Sequence, residues 1–241
     1  MLEGLYSAAA GMAAQQTRMD TLANDVANVS TDGYKRTRVA FRELLYVRDA
    51  SGRVSSGAGA ATTTIGRGFE QGSLRQTGNP LDVAISGEGF LRVRRPDGTD
   101  ALTRDGALRL DPRGRLTTQR GELVQPAITL PAGADPAKMA IGRDGTVTAG
   151  GQALGRIDVV TVPAPQGLQP AGDNLFVATA ASGQPQAAAG ASLLPAQVEA
   201  SNVDMGDTMS QMMDSQRSYQ LASRAVQMQD QLLEIANRVK S

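Results

Sequence analysis

Carboxylates are the side chains of this sequence that could most readily do chemistry, because a pair of them can act as acid and base in glycoside cleavage. Most of them stand beside glycine or proline in turn-like stretches, where an aspartate caps its own backbone. A carbohydrate cleft also usually offers aromatic platforms, and this part of the chain has few. We interpret them as turn residues and keep a carboxylate-dependent hydrolase as the alternative. The candidates are Asp82, Glu88, Asp97, Asp105, Asp111 and Asp144.

Cysteine and histidine are absent from the 241 residues, which excludes thiolate and imidazole catalysis and the usual zinc sites. The dipeptide Gly-Lys does not occur, so there is no Walker A loop. The Gly-x-Gly pairs at Gly66 and Gly87 lack the third glycine of a dinucleotide fingerprint and are interpreted as tight turns. We therefore predict no catalytic residue, no bound cofactor and no metal ion.

Basic residues are concentrated in residues 35–120, which hold sixteen lysines and arginines against nine acidic residues. The rest of the chain offsets this excess, and the formal net charge is zero. Nucleic-acid binding would require interleaved aromatic residues or a recognisable binding fold. Since neither is present, we favour a solvated or subunit-contacting face and keep a nucleic-acid binder as another alternative.

Both ends of the chain carry apolar stripes with helical spacing. At the amino-terminal end the stripe predicts a helix from about Leu2 to Val29. No run of apolar residues is long enough to span a membrane, and the segment lacks the basic start of a signal peptide. We expect neither membrane insertion nor a cleaved leader. The stripe positions are Leu2, Leu5, Ala9, Met12, Gln16, Met19, Ala23 and Val26.

The carboxyl-terminal stripe predicts a second helix, from about Val203 to Arg238. A single helix cannot bury such a stripe by itself. We therefore expect the two terminal helices to pair with each other and with the helices of other copies in a coiled-coil-like arrangement. The stripe positions are Leu221, Ala225, Met228, Leu232, Ile235 and Val239.

The middle of the chain consists of short apolar runs separated by turn signals, a pattern that predicts an antiparallel β domain. A small, glycine-rich stretch at residues 49–64 is typical of a flexible linker. The predicted fold class is therefore α+β. The predicted parts are an N-terminal helix (1–30), a connecting segment and linker (31–80), a β domain (81–184), a return linker (185–202) and a C-terminal helix (203–241).

Motifs at both ends of the chain resemble those of the bacterial flagellar rod and hook protein family. The N-terminal motif runs from Leu22 to Arg36, and the C-terminal motif combines Glu199–Asp204 with Gln216–Gln220. Two central stretches, 76–90 and 102–106, are also similar. The motif residues to which the resemblance assigns a role are Asn24, Asn28, Thr31, Gly33, Tyr34, Lys35, Asn202, Val203, Arg217 and Tyr219.

Within that family, the stretches 125–131 and 141–145 look most like the distal-rod branch, and a proximal-rod paralogue is the alternative. The sequence departs from the family pattern at Asp25, where a second asparagine is usual. The resemblance implies a structural subunit and no enzyme. A carboxylate-dependent cell-wall hydrolase remains the alternative from a different class.

The resemblance also implies how such a chain acts. Family members leave the cytoplasm through the flagellum's own export channel and form a helical tube in the basal body that transmits torque. The implied partners are further copies of the chain, other rod and hook proteins, the export apparatus and the surrounding bushing rings, but no nucleic acid. We expect Asn24 and Asn28 to bridge polar groups near the helix end, and Gly33 to provide a turn. The stripe Leu2, Leu5, Met12, Met19 and Val26 is expected to pack against Leu221, Met228, Leu232, Ile235 and Val239.

Overall fold

The computed structural model of the chain describes residues 2–43, 47–48, 54–56, 60–131, 133–188 and 190–240. They form two compact units. The helical unit consists of Met1–Ala27, Thr37–Ile65 and Asp204–Ser241, and the β unit consists of Asn28–Arg36 and Gly66–Val203. Residues 49–53 and 57–59 of the predicted flexible linker lie outside the described residues.

Two long helices dominate the helical unit: α1, Leu2–Ala27, and α2, Met205–Lys240. The start of α2 is fixed by Asp204, whose Oδ1 accepts the N–H of Asp207 at 2.9 Å. The Asp204 carbonyl accepts the N–H of Thr208 at 3.0 Å. A side-chain cap of this kind satisfies backbone donors that the first helical turn leaves unpaired. Within the described residues, neither helix is long and apolar enough to cross a membrane.

The two helices pack against each other. Ala14 of α1 and Thr208 and Ser215 of α2 are buried, and Arg18 donates a hydrogen bond to Gln211 across the contact at 3.4 Å. Small residues on these faces allow the helices to approach closely. The buried residues of α2 in the described part of this contact are therefore small and polar, whereas Leu221, Met228 and Ile235 of α2 are exposed.

In the described part of the segment between the helices and the β unit there are four strands, and α1 contacts the first of them. Asp25 Oδ1 accepts the backbone N–H of Thr37 at 3.1 Å, and the Arg18 guanidinium lies 5.5 Å from the centroid of the Phe41 ring. Strand β1 pairs with β4, and β2 pairs antiparallel with β3. The strands are β1 Thr37–Glu43, β2 Val47–Arg48, β3 Val54–Ser56 and β4 Ala60–Arg67.

The described residues of the β unit form sixteen short strands and two short 3₁₀ helices, Pro136–Lys138 and Pro165–Gly167. The first eight strands are β5 Leu74–Gln76, β6 Val83–Ser86, β7 Phe90–Arg94, β8 Asp100–Thr103, β9 Leu108–Leu110, β10 Leu116–Thr118, β11 Leu123–Val124 and β12 Met139–Ile141. The last eight are β13 Thr146–Ala149, β14 Gln152–Arg156, β15 Val159–Thr161, β16 Gln169–Pro170, β17 Leu175–Val177, β18 Gln186–Ala187, β19 Ser192–Pro195 and β20 Gln197–Glu199.

Nine of these strands form one sheet, in the order β16-β17-β8-β7-β11-β10-β9, with β15 joining β7 to β18. Strands β12, β13 and β14 form a second sheet, and β19-β6 and β20-β5 are two-stranded ribbons. All of these pairings are antiparallel. The prediction of an α+β fold with mainly antiparallel strands is confirmed. The segment predicted as a return linker, 185–202, contains β18, β19 and β20.

The main core of the β unit lies between the strands and consists of aliphatic side chains. Its fully buried members include Ile85, Leu91, Leu116 and Val147. A second cluster contains the aromatic residues, with Phe69 packed edge-on against Phe90 and Phe176 at centroid distances of 5.4 and 5.2 Å. This second cluster is next to the site described below, because Phe90 also contacts Arg104.

Candidate functional site

The two family-like motifs come together at one place in the β unit. The N–H of Gly33 donates to the carbonyl of Glu199 at 2.7 Å. The N–H of Arg36 donates to Asn202 Oδ1 at 2.8 Å, and the Asn202 amide donates to the carbonyl of Gly68 at 2.7 Å. The segment that follows α1 and the segment that precedes α2 are therefore fastened side by side. We call this arrangement the clasp: residues 33–36 and 199–202 together with Arg104.

A buried carboxylate shared by two cations forms the centre of the clasp. Glu199 pairs through Oε1 with Lys35 and through Oε2 with Arg104, the latter at 2.9 Å. The side chains of Lys35 and Glu199 are completely buried, and that of Arg104 is 3% exposed. Glu199 also accepts the N–H of Gly72 at 2.8 Å. A charged group can remain buried only when it is paired and hydrogen-bonded in this way.

The remaining donors of the two cations bind backbone carbonyl groups. Lys35 Nζ donates to the carbonyl of Glu70 at 2.7 Å. Arg104 donates to the carbonyls of Gly89 and Gly87, both at 2.8 Å, and its guanidinium lies 5.7 Å from the centroid of the Phe90 ring. The second positive charge in the centre is thus offset by carbonyl dipoles and by the ring face.

The pKa of Lys35 reflects opposing effects of burial and of the neighbouring charges. Burial lowers that pKa from its ordinary value of 10.5, and the hydrogen bond and charge of Glu199 oppose the lowering. The neighbouring cation of Arg104 lowers it further. Lys35 therefore depends on Glu199 to hold its proton in this buried position.

Gly33 is required by the backbone of the clasp. Its φ angle is +70°, in the region that side chains with a Cβ rarely adopt. A Cβ placed on it would also lie 2.6 Å from the N atom of Asp105. Since both restrictions apply at once, the loop can contact the β unit so closely only with glycine at this position.

Four other residues of the N-terminal motif are placed as follows. Thr31 donates its hydroxyl to Asn28 Oδ1 at 3.2 Å and its N–H to the Asn28 carbonyl at 3.1 Å, which closes the turn after α1. Tyr34 is 4% exposed, and the Arg67 guanidinium lies 5.3 Å from its ring centroid. Asn24 is exposed on α1.

The C-terminal motif divides between the two units. Asn202 and the buried Val203 belong to the β unit, whereas Arg217 and Tyr219 are exposed on α2. The clasp also uses Glu199 and Arg104, which the sequence analysis did not select as site residues. Both were inside stretches that carry the family resemblance, so the signal was present, but nothing in the sequence alone links one to the other.

The apolar stripes have a different environment from the clasp. Met12, Met19 and Val26 of α1 are half-buried. Leu221, Met228 and Ile235 of α2 are 66%, 59% and 58% exposed, so the single chain does not bring them into a core. The side chains of Leu2, Leu5, Leu232 and Val239, which are also expected to pack, lie outside the described residues.

The turn aspartates bind their own backbone. Asp97, Asp111 and Asp144 each accept the N–H of the residue two positions on, at 2.9, 2.8 and 3.2 Å. Hydrogen bonds from Thr99, Arg115 and Thr146, respectively, are the largest cause that holds the pKa of each carboxyl below its ordinary value. Among the described residues, no group of three acidic residues is arranged to hold a metal ion.

Asp105, beneath Gly33, behaves in the opposite way. Burial raises the pKa of its carboxyl from 3.8 to about 6; the backbone N–H of Ala107 opposes this, and the charge of Asp32 adds to it. Arg120 and Glu122 also face it and act in opposite directions. Between pH 4 and 6 the folded protein therefore keeps a proton that the unfolded chain has lost, and the free energy of unfolding falls as the pH rises through this range.

We expect Asp105→Asn to remove the free-energy cost of burying the charged Asp105 carboxylate. The amide keeps an oxygen that can accept the Ala107 N–H, now 3.0 Å from Asp105 Oδ1. The variant should be more stable than the parent by about 1–3 kcal/mol at pH 8 and no more stable at pH 4. Thermal unfolding followed by circular dichroism at both pH values measures the difference. Asp144→Asn is the control, because the pKa of Asp144 is lowered and its replacement should not stabilise. Equal stabilities of Asp105→Asn and the parent at pH 8 would contradict the raised pKa of Asp105.

Comparison with known proteins covers both ends and the middle of the chain. Residues 5–35 match the family "Flagella basal body rod protein", residues 84–149 match "Flagellar hook protein FlgE/F/G D1 domain", and residues 195–239 match "Flagellar basal body rod FlgEFG protein C-terminal". The buried ionic centre of the clasp combines Lys35 from the first of these regions, Arg104 from the second and Glu199 from the third.

Full-length relatives are similar along the whole chain. The flagellar basal-body rod protein FlgG of Borreliella burgdorferi is 36% identical over 265 residues, covering 100% of this chain and 99% of the relative. FlgG of Buchnera aphidicola (subsp. Baizongia pistaciae) is 34% identical and covers 97% and 98%. FlgG of Caulobacter vibrioides is 34% identical and covers 100% of both.

Proposed function

This chain belongs to the flagellar basal-body rod protein family and is a structural subunit of the distal rod, and we propose that it builds the rod by packing its terminal helices against those of neighbouring copies. The observation that carries the proposal is the row of large apolar side chains exposed on α2. Soluble proteins seldom leave such a row open unless it binds something. The proximal-rod alternative is not favoured, since the relatives described above share the name FlgG.

From Met213 to Ile235 the exposed row lies on the side of α2 that faces away from α1, and its first two members, Met205 and Met209, lie at the flank of that side. With 3.6 residues per turn, Thr208 and Ser215, which are buried, lie about half a turn around the helix from Met228 and Ile235. One face of α2 is therefore used within the chain while the other remains for contacts between copies. The exposed row consists of Met205, Met209, Met213, Leu221, Met228 and Ile235.

The proposed contact between copies is heterologous. The α1 stripe of one copy, Leu2, Leu5, Met12, Met19 and Val26, packs against α2 of the next, at Leu221, Met228, Leu232, Ile235 and Val239. Two different surfaces that bind each other without closing a ring generate a helix of indefinite length. Coiled-coil-like packing of α1 and α2 from successive copies would line a tube that encloses the export channel.

In this proposal the clasp gives the subunit its stiffness. It consists of buried, fully paired charges, so both segments that lead to the helices are anchored in the β unit. Further partners would be other rod and hook proteins, the export apparatus and the surrounding rings, with the rod in the periplasm.

Deletion of the gene that encodes this chain tests the proposal. We expect cells without it to build no complete rod, and a copy of the gene supplied on a plasmid to restore both rod and swimming. An epitope inserted at Gly151, a positive-φ turn glycine next to open space, should label the rod of isolated basal bodies in electron micrographs. Complete, unlabelled rods in the tagged strain, or complete rods in the deletion strain, would contradict the proposal.

A further inference from the structure

Glu88 lies in the short loop between β6 and β7. It is flanked by Gly87 and Gly89, whose φ angles are +93° and +152°. The carbonyls of both glycines accept hydrogen bonds from Arg104 at 2.8 Å, so the backbone is held from below on each side of Glu88. Glu88 itself is exposed, and within the described part of the chain no hydrogen bond or ion pair uses its carboxylate.

A cleft of about 290 Å³ in the same unit has the opposite charge. Among the described residues that line it, Arg67 and Arg120 supply positive charge and Asp173 is the only carboxylate. Lys35 also lines the cleft, but its side chain is completely buried and pairs with Glu199, and Arg120 pairs with Asp173. The Arg67 guanidinium lies 5.3 Å from the centroid of the Tyr34 ring, and in the described hydrogen bonds it uses only Nη1, which donates to the Lys35 carbonyl at 2.8 Å. The rest of its guanidinium is available to an incoming acceptor.

The edge of the cleft is a left-handed turn. Gly172, Asp173 and Asn174 have successive φ angles of +82°, +53° and +58°. Aspartate and asparagine tolerate this conformation better than other residues with a Cβ. The loop is held there by Asn174, whose amide donates to the Asp32 carbonyl at 3.1 Å and whose carbonyl accepts the Thr103 hydroxyl at 3.0 Å. The shape of the cleft is thus fixed before anything binds.

We infer that the Glu88 loop of one copy docks into this cleft on an adjacent copy, where its carboxylate pairs with Arg67 and Arg120. The inference rests on the proposed function, since it needs copies side by side. The volume is at the lower end of the range for small-molecule sites and suits one side chain. An arginine fork binds a carboxylate with two parallel hydrogen bonds, which also fixes orientation.

Both partners of the docking contact depend on the clasp. Arg104 holds the loop that carries Glu88, the Lys35 carbonyl binds Arg67 of the cleft, and the side chains of Lys35 and Arg104 bind the same carboxylate of Glu199. A loop that enters a cleft is a heterologous contact, so it extends an assembly in one direction. It would set the register of the β units independently of the helices.

Disulfide cross-linking tests the contact directly, because the chain has no cysteine of its own. The double variant Glu88→Cys/Arg120→Cys is expressed in place of the natural chain, and basal bodies are isolated and oxidised. We expect a ladder of dimers and higher species on non-reducing gels. Each single variant should give no ladder, because its cysteine would have no second cysteine opposite it on the adjacent copy.

Charge reversal supplies a second measurement that does not rely on cysteine. Glu88→Lys should reduce the number of complete rods per cell about tenfold, and Glu88→Lys/Arg120→Glu should recover most of the loss. Asp158→Lys is the matched control, since Asp158 is also an exposed carboxylate of the β unit. Equal thermal unfolding of the purified variants shows that the change acts on assembly.

The outcomes separate the inference from the proposed function. A normal number of rods in Glu88→Lys, or rods without a ladder in the double cysteine variant, overturns the docking contact and leaves the distal-rod function standing. Complete rods in cells that lack the chain overturn the function itself. A ladder together with rescue by the double charge reversal supports the contact.

Discussion

Replacing Glu199 with glutamine is expected to lower the free energy of unfolding of the β unit by about 3–5 kcal/mol, because it leaves two buried cations without a counter-charge. Lys35 and Arg104 both bind this carboxylate, and none of the three side chains is more than 3% exposed. Urea unfolding of the purified chain at pH 7, followed by circular dichroism, measures the loss. We also expect fewer rods in cells, since less of the chain would be folded.

The matched control is Glu70→Gln. Glu70 pairs with Arg36 at 3.0 Å, but their side chains are 69% and 39% exposed, and an exposed pair of this kind contributes only about 0–1 kcal/mol. A second variant, Lys35→Met in the Glu199→Gln background, removes one of the unpaired cations and should regain part of the loss. A loss below about 1 kcal/mol for Glu199→Gln, or no gain from Lys35→Met, would contradict the assignment of the clasp.

The same variant should also depend on pH. Without Glu199, burial and Arg104 lower the pKa of Lys35 with less opposition. A lysine with a lowered pKa in the folded state costs stability while it is protonated, and the cost decreases as the pH rises toward 10.5, its ordinary value. The difference between Glu199→Gln and the parent should therefore be larger at pH 6 than at pH 9.

Met228→Asp is expected to block rod assembly and leave the monomer intact. Met228 is 59% exposed in the single chain, and substitution of an exposed helix residue usually changes stability by less than about 0.5 kcal/mol. In the proposed contact it would be covered by a neighbouring helix, where an unpaired carboxylate costs several kcal/mol. The count of rods in electron micrographs and the diameter of swimming rings in soft agar measure the effect.

Ser218→Asp is the control for this substitution. Ser218 is exposed on the same helix and lies to one side of the exposed apolar row, so it adds the same charge outside the proposed contact. We expect nearly normal rods in this variant. A full rod with Met228→Asp would refute the packing of copies through this face of α2, whatever the result for Ser218→Asp.

The sequence predicts the elements of the fold better than their partners. Apolar periodicity predicts both terminal helices, which run Leu2–Ala27 and Met205–Lys240, and the turn signals predict short antiparallel strands. These features are local, since each depends on residues a few positions apart. Periodicity assumes, however, that the most apolar face is the one packed within the chain. Here that face of α2 is open, and small or polar residues such as Thr208 and Ser215 are buried instead.

The clasp could not be predicted for a different reason. Lys35 and Glu199 are 164 positions apart, and Arg104 and Glu199 are 95 apart. The net charge of the region gives no sign that one carboxylate serves two cations. The family resemblance selects Lys35 and Asn202 by motif, but only the folded β unit shows that Arg104 completes their site.

The clasp also brings the two ends of the main segment of the β unit together. Most of this unit is the stretch Gly66–Val203, and close to its two ends the Asn202 amide donates to the Gly68 carbonyl at 2.7 Å. Anything inserted between two ends that meet leaves their spacing unchanged. The β unit is therefore an exchangeable module: its size and surface can diverge, or be replaced by grafting, while the two helices keep the same points of attachment.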